Sequence, residues 1–228
     1  MNNRDNPSSF RDWEYQKSGD YHRNLDPNWS YTPTYLRKMA FVRSILEKLP
    51  KDAKILDAGC GEGVLVEELR AKGRDIQGVD LNYESEFVKR GDVRNLPYPD
   101  NSFDAVLLLD VLEHLPFDAQ AKALNELYRV LKFNGCLVLS APNLAHLNSR
   151  FKFLLKGVFD RTDIEENHPG ERPAAEYRKL LEDQGFQLNK SSGITFTFPI
   201  LYRRIICQYP AGMRWLARAP IARAGSLR

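Results

Sequence analysis

A short apolar run that ends in three alternating glycines constrains this chain more than any other feature. Lys54-Ile-Leu-Asp-Ala-Gly leads into Gly59, Gly61 and Gly63. A helical pattern follows from Gly63 to Lys72, with Val64, Leu65 and Leu69 inward and Gly73 at its end. An apolar strand, a bare turn and a helix together open an α/β unit. Glycine in such a turn lets a ligand approach the backbone where a Cβ would stand, and the first amides of the helix point at that ligand. The spacing differs from the GxGxxG of dinucleotide sites. Asp57 sits in the turn itself, where a carboxylate repels a pyrophosphate and tolerates an ammonium group.

The pattern then repeats. Asp75 to Asp80 reads as a second strand and Phe87 to Lys89 as a short third, followed by Gly91-Asp92. Phe103 to Leu109 is apolar apart from Asp104, as expected of a parallel strand buried on both faces. A helix is predicted from Asp118 to Lys132, and Asn134-Gly135 turns into a strand from Cys136 to Ser140. Upstream, Thr34 to Leu49 has helical spacing. Downstream, Phe151 to Lys156 reads as a short amphipathic helix, Pro173 to Gln184 as a helix and Phe186 to Lys190 as a strand. Ser191 to Gly193 reads as a turn into a further short strand, Ile194 to Phe198. Strands alternating with helices predict an α/β fold with a doubly wound, mostly parallel sheet and helices on both faces.

Charge is uneven along the chain. From Ile194 onward there are six arginines (203, 204, 214, 218, 223 and 228) and no acidic residue. The rest carries 27 basic and 30 acidic residues, so the body is mildly acidic. A nucleic-acid partner would call for basic charge on the body, and none is expected. Phe196, Phe198, Ile200, Leu201, Tyr202, Ile205, Ile206 and Trp215 lie among those arginines, the composition of an interfacial segment. Cys60, Cys136 and Cys207 are odd in number and lack CxxC spacing, which predicts reduced thiols rather than a disulfide frame. No apolar run is long enough to span a bilayer, and the first thirty residues contain no secretory h-region. The expected location is cytoplasmic, with peripheral contact at the inner face of a membrane through residues 199–228.

ILDAGCGEG, the acidic end of the second strand at Asp80, GDVRNLPYPDNSFDAV, DVLEHL and ELYRVLKFNGCLVLSAPN resemble the successive motifs of class I S-adenosylmethionine-dependent methyltransferases. The resemblance covers about Leu36 to Phe186 and is greatest to the broad group that includes quinone-biosynthesis and polysaccharide or lipid-linked-sugar methyltransferases. It implies a Rossmann-like seven-stranded sheet whose last strand is antiparallel. In this sequence that strand is either the short Ile194–Phe198 segment or missing. It implies S-adenosyl-L-methionine as cofactor, with Asp57, Gly59, Gly61 and Gly63 at the methionine part. Asp80 falls to the ribose, Leu81 to an adenine face, Asp92 and Val93 to the adenine edge, and Asp110 to the region of the methionine amine. Glu113 and Arg129 are expected to be structural ion-pair residues.

The reaction implied is methyl transfer to a small-molecule, sugar or lipid-linked acceptor, with O-methylation favoured. The alternatives are a quinone-type C- or O-methyltransferase and a cofactor-binding scaffold without turnover. His146, just past the fifth strand, and His168, in the insertion after it, are candidate general bases, as is His114 after the fourth strand. No metal site is expected, because no His/Asp/Glu cluster has ligand spacing. The expected organisation is an aromatic arm or lid over 1–33, a methyltransferase domain over 34–198 with an acceptor-side insertion at 143–172, and a basic amphipathic tail over 199–228.

Overall fold

The computed structural model describes residues 31–160, 168–197, 204–206 and 220–226, together with Arg23, Leu25, Pro27 and Asn28. Most of the 1–33 arm, His22 included, lies outside the described residues, as does most of 199–228.

Helix α1 (Thr32–Leu46) precedes β1 (Ile55–Ala58), α2 (Val64–Ala71), β2 (Ile76–Asp80), β3 (Val88–Arg90) and β4 (Phe103–Leu109). A 3₁₀ turn (Leu112–His114), α3 (Phe117–Val130), β5 (Leu131–Ser140), α4 (Leu147–Lys156), α5 (Ala174–Asp183) and β6 (Phe186–Gly193) follow. Three further strands are β7 (Thr195–Thr197), β8 (Arg204–Ile206) and β9 (Pro220–Ser226). Seven strands form one sheet in the order β3-β2-β1-β4-β5-β9-β6, while β7 and β8 pair separately. β1 to β5 run parallel, and β9 runs antiparallel to both of its neighbours.

Alternation along the central strands builds two cores. Leu56, Val106, Leu108, Leu137 and Leu139 face one side, where Leu124, Leu127 and Val130 of α3 and Leu181 of α5 cover them. Ile55, Ala105, Leu107 and Val138 face the other, under Val42 and Ile45 of α1 and Leu65, Val66 and Leu69 of α2. Both faces being buried explains why β4 carries no polar alternation.

Three assignments differ from the sequence reading. The helix expected to reach Lys132 ends at Val130, because Leu131 is already extended and pairs with Phe103. The register then shifts, so that Ala105 meets Cys136 and the intervening residues, with Asn134 at φ 59°, bulge out of the ladder. The larger correction concerns the closing strand. It is neither Ile194–Phe198 nor missing: Pro220–Ser226 fills the place, pairing Cys136–Ser140 on one side and Phe186–Gly193 on the other. Those seven residues are therefore sheet and not free tail. Their own composition is poor in β-branched residues, and the position is set by two flanking strands that offer unpaired backbone on facing edges. Ser191 to Gly193, expected as a turn, belongs to β6 for the same reason.

Candidate active site

The carboxyl ends of β1, β2, β4 and β5 open on one edge of the sheet, where open α/β folds hold ligands. The β1–α2 turn is fixed from its neighbour. Gly59 N donates to Val79 O (2.7 Å), and Gly61 N donates to Oδ2 of Asp80 (2.9 Å). Gly59, Gly61 and Gly63 have φ of 77°, 57° and 80°, the left-handed region that glycine enters without strain. A Cβ on Gly59 would stand 2.4 Å from Val111, and one on Gly63 would stand 2.5 Å from Val88. The cradle is thus closed from behind by valines as well as reserved for a ligand in front.

Asp80 is held by two backbone amides, Gly61 N on Oδ2 and Asn82 N on Oδ1 (2.8 Å), and each carboxylate oxygen can accept more than one hydrogen bond. Leu81 follows at the rim, partly buried, and its carbonyl accepts from Arg90 Nε (3.2 Å). Asp57 is 4% exposed. Burial, and then the charge of Asp80, push its carboxyl up to about 7, and a cation beside it would favour its ionised form. Asp92 is gripped by Arg94 through contacts of 2.6–2.9 Å and also accepts from Arg94 N; Val93 beside it is buried.

Asp110 lies just past β4 in the left-handed region (φ 54°), a strained position that its partners hold. Ser140 Oγ donates to Oδ1 (2.6 Å), Tyr31 OH donates to Oδ2 (3.0 Å), and Lys38 forms a close ion pair with Oδ2. Burial works against its charge, but Lys38 and these donors overcome it and hold the carboxyl down to about 2. Lys38 is itself buried, and its Nζ lies 5.4 Å from the ring centroids of both Tyr31 and Tyr35. Asp110 therefore already has a cation, and Asp57 is the acid better placed to answer an ammonium group on a ligand.

The three candidate histidines separate. His146 is buried and caps α4. Its Nδ1 accepts from Ser149 N (3.3 Å), so the proton is on Nε2, which donates to Asp160 O (3.0 Å). Both ring nitrogens are occupied in holding the loop. His114 and His168 instead meet edge to face, with centroids 4.6 Å apart. Gln120, fully buried, brings them together by donating to Leu112 O, Leu115 O and Gly170 O and accepting from Arg172 Nε (2.6 Å). Gly170 N donates to Glu113 O (3.0 Å), and a Cβ on Gly170 would fall 1.9 Å from Leu115 O. This staple fixes the 168–172 segment against the 3₁₀ turn.

Glu113 departs from its expected structural role. It makes no ion pair among the described residues, is 2% exposed, and its Oε2 has no hydrogen-bond partner. Arg129 does fill that role, with Glu126 and Asp100 each at 2.8 Å. Lys38, Tyr31, Gln120, Glu113 and Glu171 are site residues that sequence reasoning missed or read otherwise. A lysine on the inner side of an amphipathic helix was the one available signal.

The glycine cradle, the two amide-held oxygens of Asp80 and the buried Asp57 fit S-adenosylmethionine: a bare approach for the methionine part, acceptors for ribose hydroxyls and a carboxylate for its amine. Residues 29–191, more than half of the chain, match the family described as methyltransferase domain. A probable S-adenosylmethionine-dependent methyltransferase of Mycolicibacterium smegmatis is 32% identical over 61% of this chain and 54% of its own length. The chain thus spans about half the length of that relative. The ubiquinone biosynthesis O-methyltransferase of Thiobacillus denitrificans is 26% identical over 77% of this chain and 82% of its own. Among solved structures, a Burkholderia thailandensis 1,6-didemethyltoxoflavin-N1-methyltransferase with bound S-adenosylhomocysteine superposes with a TM-score of 0.61 at 16% identity, over 95% of this chain and 87% of that one. Family, sheet order and cradle agree, and the chain belongs to the class I S-adenosylmethionine-dependent methyltransferases.

Proposed function

We propose that the chain methylates an oxygen of a small-molecule, sugar or lipid-linked acceptor. The observation that carries this reading is the His114–His168 pair at the cofactor edge, four residues past Asp110 in the case of His114. An oxygen acceptor must lose a proton, and an imidazole pair is the natural group to receive it near neutral pH. His146 is spoken for by Ser149 and Asp160, so the proton-accepting role passes to His168 and His114. Bound S-adenosylmethionine would supply an activated methyl for the acceptor oxygen, with its sulfur as the leaving group that keeps the electron pair. Glycine turn, Asp57 and Asp80 hold the donor. Tyr31 and Lys38 cover Asp110, and the 168–172 segment walls the acceptor side, which favours alignment and exclusion of water.

The test is turnover with deuterated-methyl S-adenosylmethionine against phenols, sugars and lipid extracts, with products read by mass spectrometry. O-methyl products that diminish in His168→Ala support the reading. Exclusive N-methyl products, or undiminished O-methylation in His114→Ala and His168→Ala alike, sink it.

A lipophilic, quinone-type acceptor is the second reading, favoured by α4. Phe151, Phe153, Leu154, Leu155, Val158 and Phe159 are exposed there, Leu154 to 80%, and Lys152 and Lys156 lie among them. Such a face suits contact with an anionic lipid surface. With β9 built into the sheet, α4 is a better candidate for that contact than the whole of 199–228. No helix among the described residues is long and apolar enough to cross a membrane. Vesicle sedimentation with Leu154→Glu/Leu155→Glu tests it: equal binding by this variant and the parent removes α4 from the account.

A further inference from the structure

Glu113, His114 and His168 each offer one ligand atom, and those atoms lie within 4.8 Å of one another. The sequence hides this grouping, because His168 reaches the 3₁₀ turn only through the Gln120 staple. Glu113 makes the grouping more than a coincidence of neighbours. A buried carboxylate oxygen without a donor is costly, and the cost is relieved by a proton or by a cation. The surroundings add to it. Asp110 and Glu171 press their charge on Glu113, and the nearby ammonium, Lys38, is already bound to Asp110. Glu171, whose side chain is fully buried, places Oε2 3.9 Å from Nδ1 of His168.

We propose that Glu113, His114 and His168 bind one divalent transition-metal ion, with Glu171 as the outer carboxylate that orients His168. Two imidazoles and one carboxylate form the donor set of open zinc-type sites, three protein ligands with a position left for another molecule. Nitrogen donors of this kind disfavour magnesium and calcium, which take oxygen. Bonds of about 2.0–2.2 Å to one ion require the three atoms to draw closer than 4.8 Å. Rotation of the His168 side chain, 13% exposed, can supply that movement while the stapled backbone stays in place. Glu113 and His114 lie on the 3₁₀ turn after β4 and form the rigid half. A carboxylate behind a ligating histidine is the usual way its ring is turned toward a metal.

The consequence for catalysis rests on the O-methylation reading. An acceptor hydroxyl in the open position would have its pKa lowered by the ion and reach the methyl as an alkoxide or phenolate, its proton leaving to solvent. His114 and His168 would then act through the metal instead of as free bases. Such a site selects acceptors with a hydroxyl able to ligate, phenols above unactivated amines.

The experiment is titration of the chelator-treated, untagged full chain with Zn²⁺ by calorimetry, with S-adenosylhomocysteine binding measured in parallel. One ion per chain is expected. His168→Ala, His114→Ala and Glu113→Gln should each lose more than the roughly 100-fold in affinity that outer partners cost, with S-adenosylhomocysteine affinity unchanged. Glu171→Gln should weaken the ion by about 10–100-fold. His168 lies outside the helices and strands, and its variant is the one least able to disturb the fold. Absence of stoichiometric binding by the parent chain overturns the proposal, as does undiminished binding by both histidine variants. Failure of the O-methylation reading looks different: the ion binds, and only nitrogen or carbon acceptors turn over.

Discussion

Asp57→Asn should make the protein more stable and, at the same time, less able to hold its cofactor. Asp57 is buried near the end of β1, just before the glycine turn, and its carboxyl is pushed up from 3.8 to about 7, first by burial and then by Asp80. The folded protein therefore keeps this proton more tightly than the unfolded chain does. Between pH 4 and pH 7 the unfolded chain releases it and the folded protein does not, so stability falls as pH rises through that interval. Above about pH 7 the penalty is complete. At about 1.4 kcal/mol for each pH unit, it amounts to about 4 kcal/mol, an upper figure, because the buried amide of Asn carries its own desolvation cost. Asn has nearly the same shape and no charge. Urea denaturation should show the variant gaining up to about 4 kcal/mol at pH 8.5 and almost nothing at pH 4. Calorimetry at pH 6 should show that the parent releases a proton when S-adenosylmethionine binds, read as a dependence of heat on buffer. That release should vanish in the variant along with most of the affinity. Equal stabilisation at both pH values would refute the reasoning, since the burial of charge would not be what the substitution removes.

Asp80→Ala should weaken S-adenosylhomocysteine by two charge-assisted hydrogen bonds of about 1.5–3 kcal/mol each and also loosen the Gly61 and Asn82 amides; unchanged calorimetric affinity would remove the ribose assignment. His146→Ala should lower the melting temperature, by loss of a helix cap worth about 0.5–2 kcal/mol plus its bond to Asp160, and leave the pH–rate profile in place; a lost titration in that profile would restore His146 as a base. A chain ending at residue 219 lacks β9 and should fail to give a cooperative thermal transition, because β5 and β6 lose their shared partner; a normal transition would mean the sheet closes without it.

The parallel half of the fold is legible because its signals are local. An apolar strand followed by spaced glycines, or Asp80 at the end of a strand, announces itself within ten residues. The candidate cofactor residues at β1 and β2 inherit that clarity. What escapes is whatever depends on a partner distant in sequence. β9 is a strand because two edges need pairing, not because Ala222, Ala224 and Gly225 favour extension. The Lys38–Asp110 pair joins α1 to the end of β4, and the place of Lys38 on the inner side of α1 marks it as unusual without naming its distant partner. His146 looks like a base from its place after β5, and only the capping of α4 shows its nitrogens to be engaged.

The place of β9 also sets an order in time. β5 and β6 leave the ribosome before it, and between Ser140 and Ser226 synthesis takes from about four to about seventeen seconds at usual rates. Over that span β5 presents Leu137, Val138 and Leu139 along an edge whose amides have no mate. β5 and β6 cannot simply pair with each other without shutting β9 out of the ladder. A β5–β6 pair formed early has to open again before β9 can enter between them. The last strand made is the one that commits the sheet.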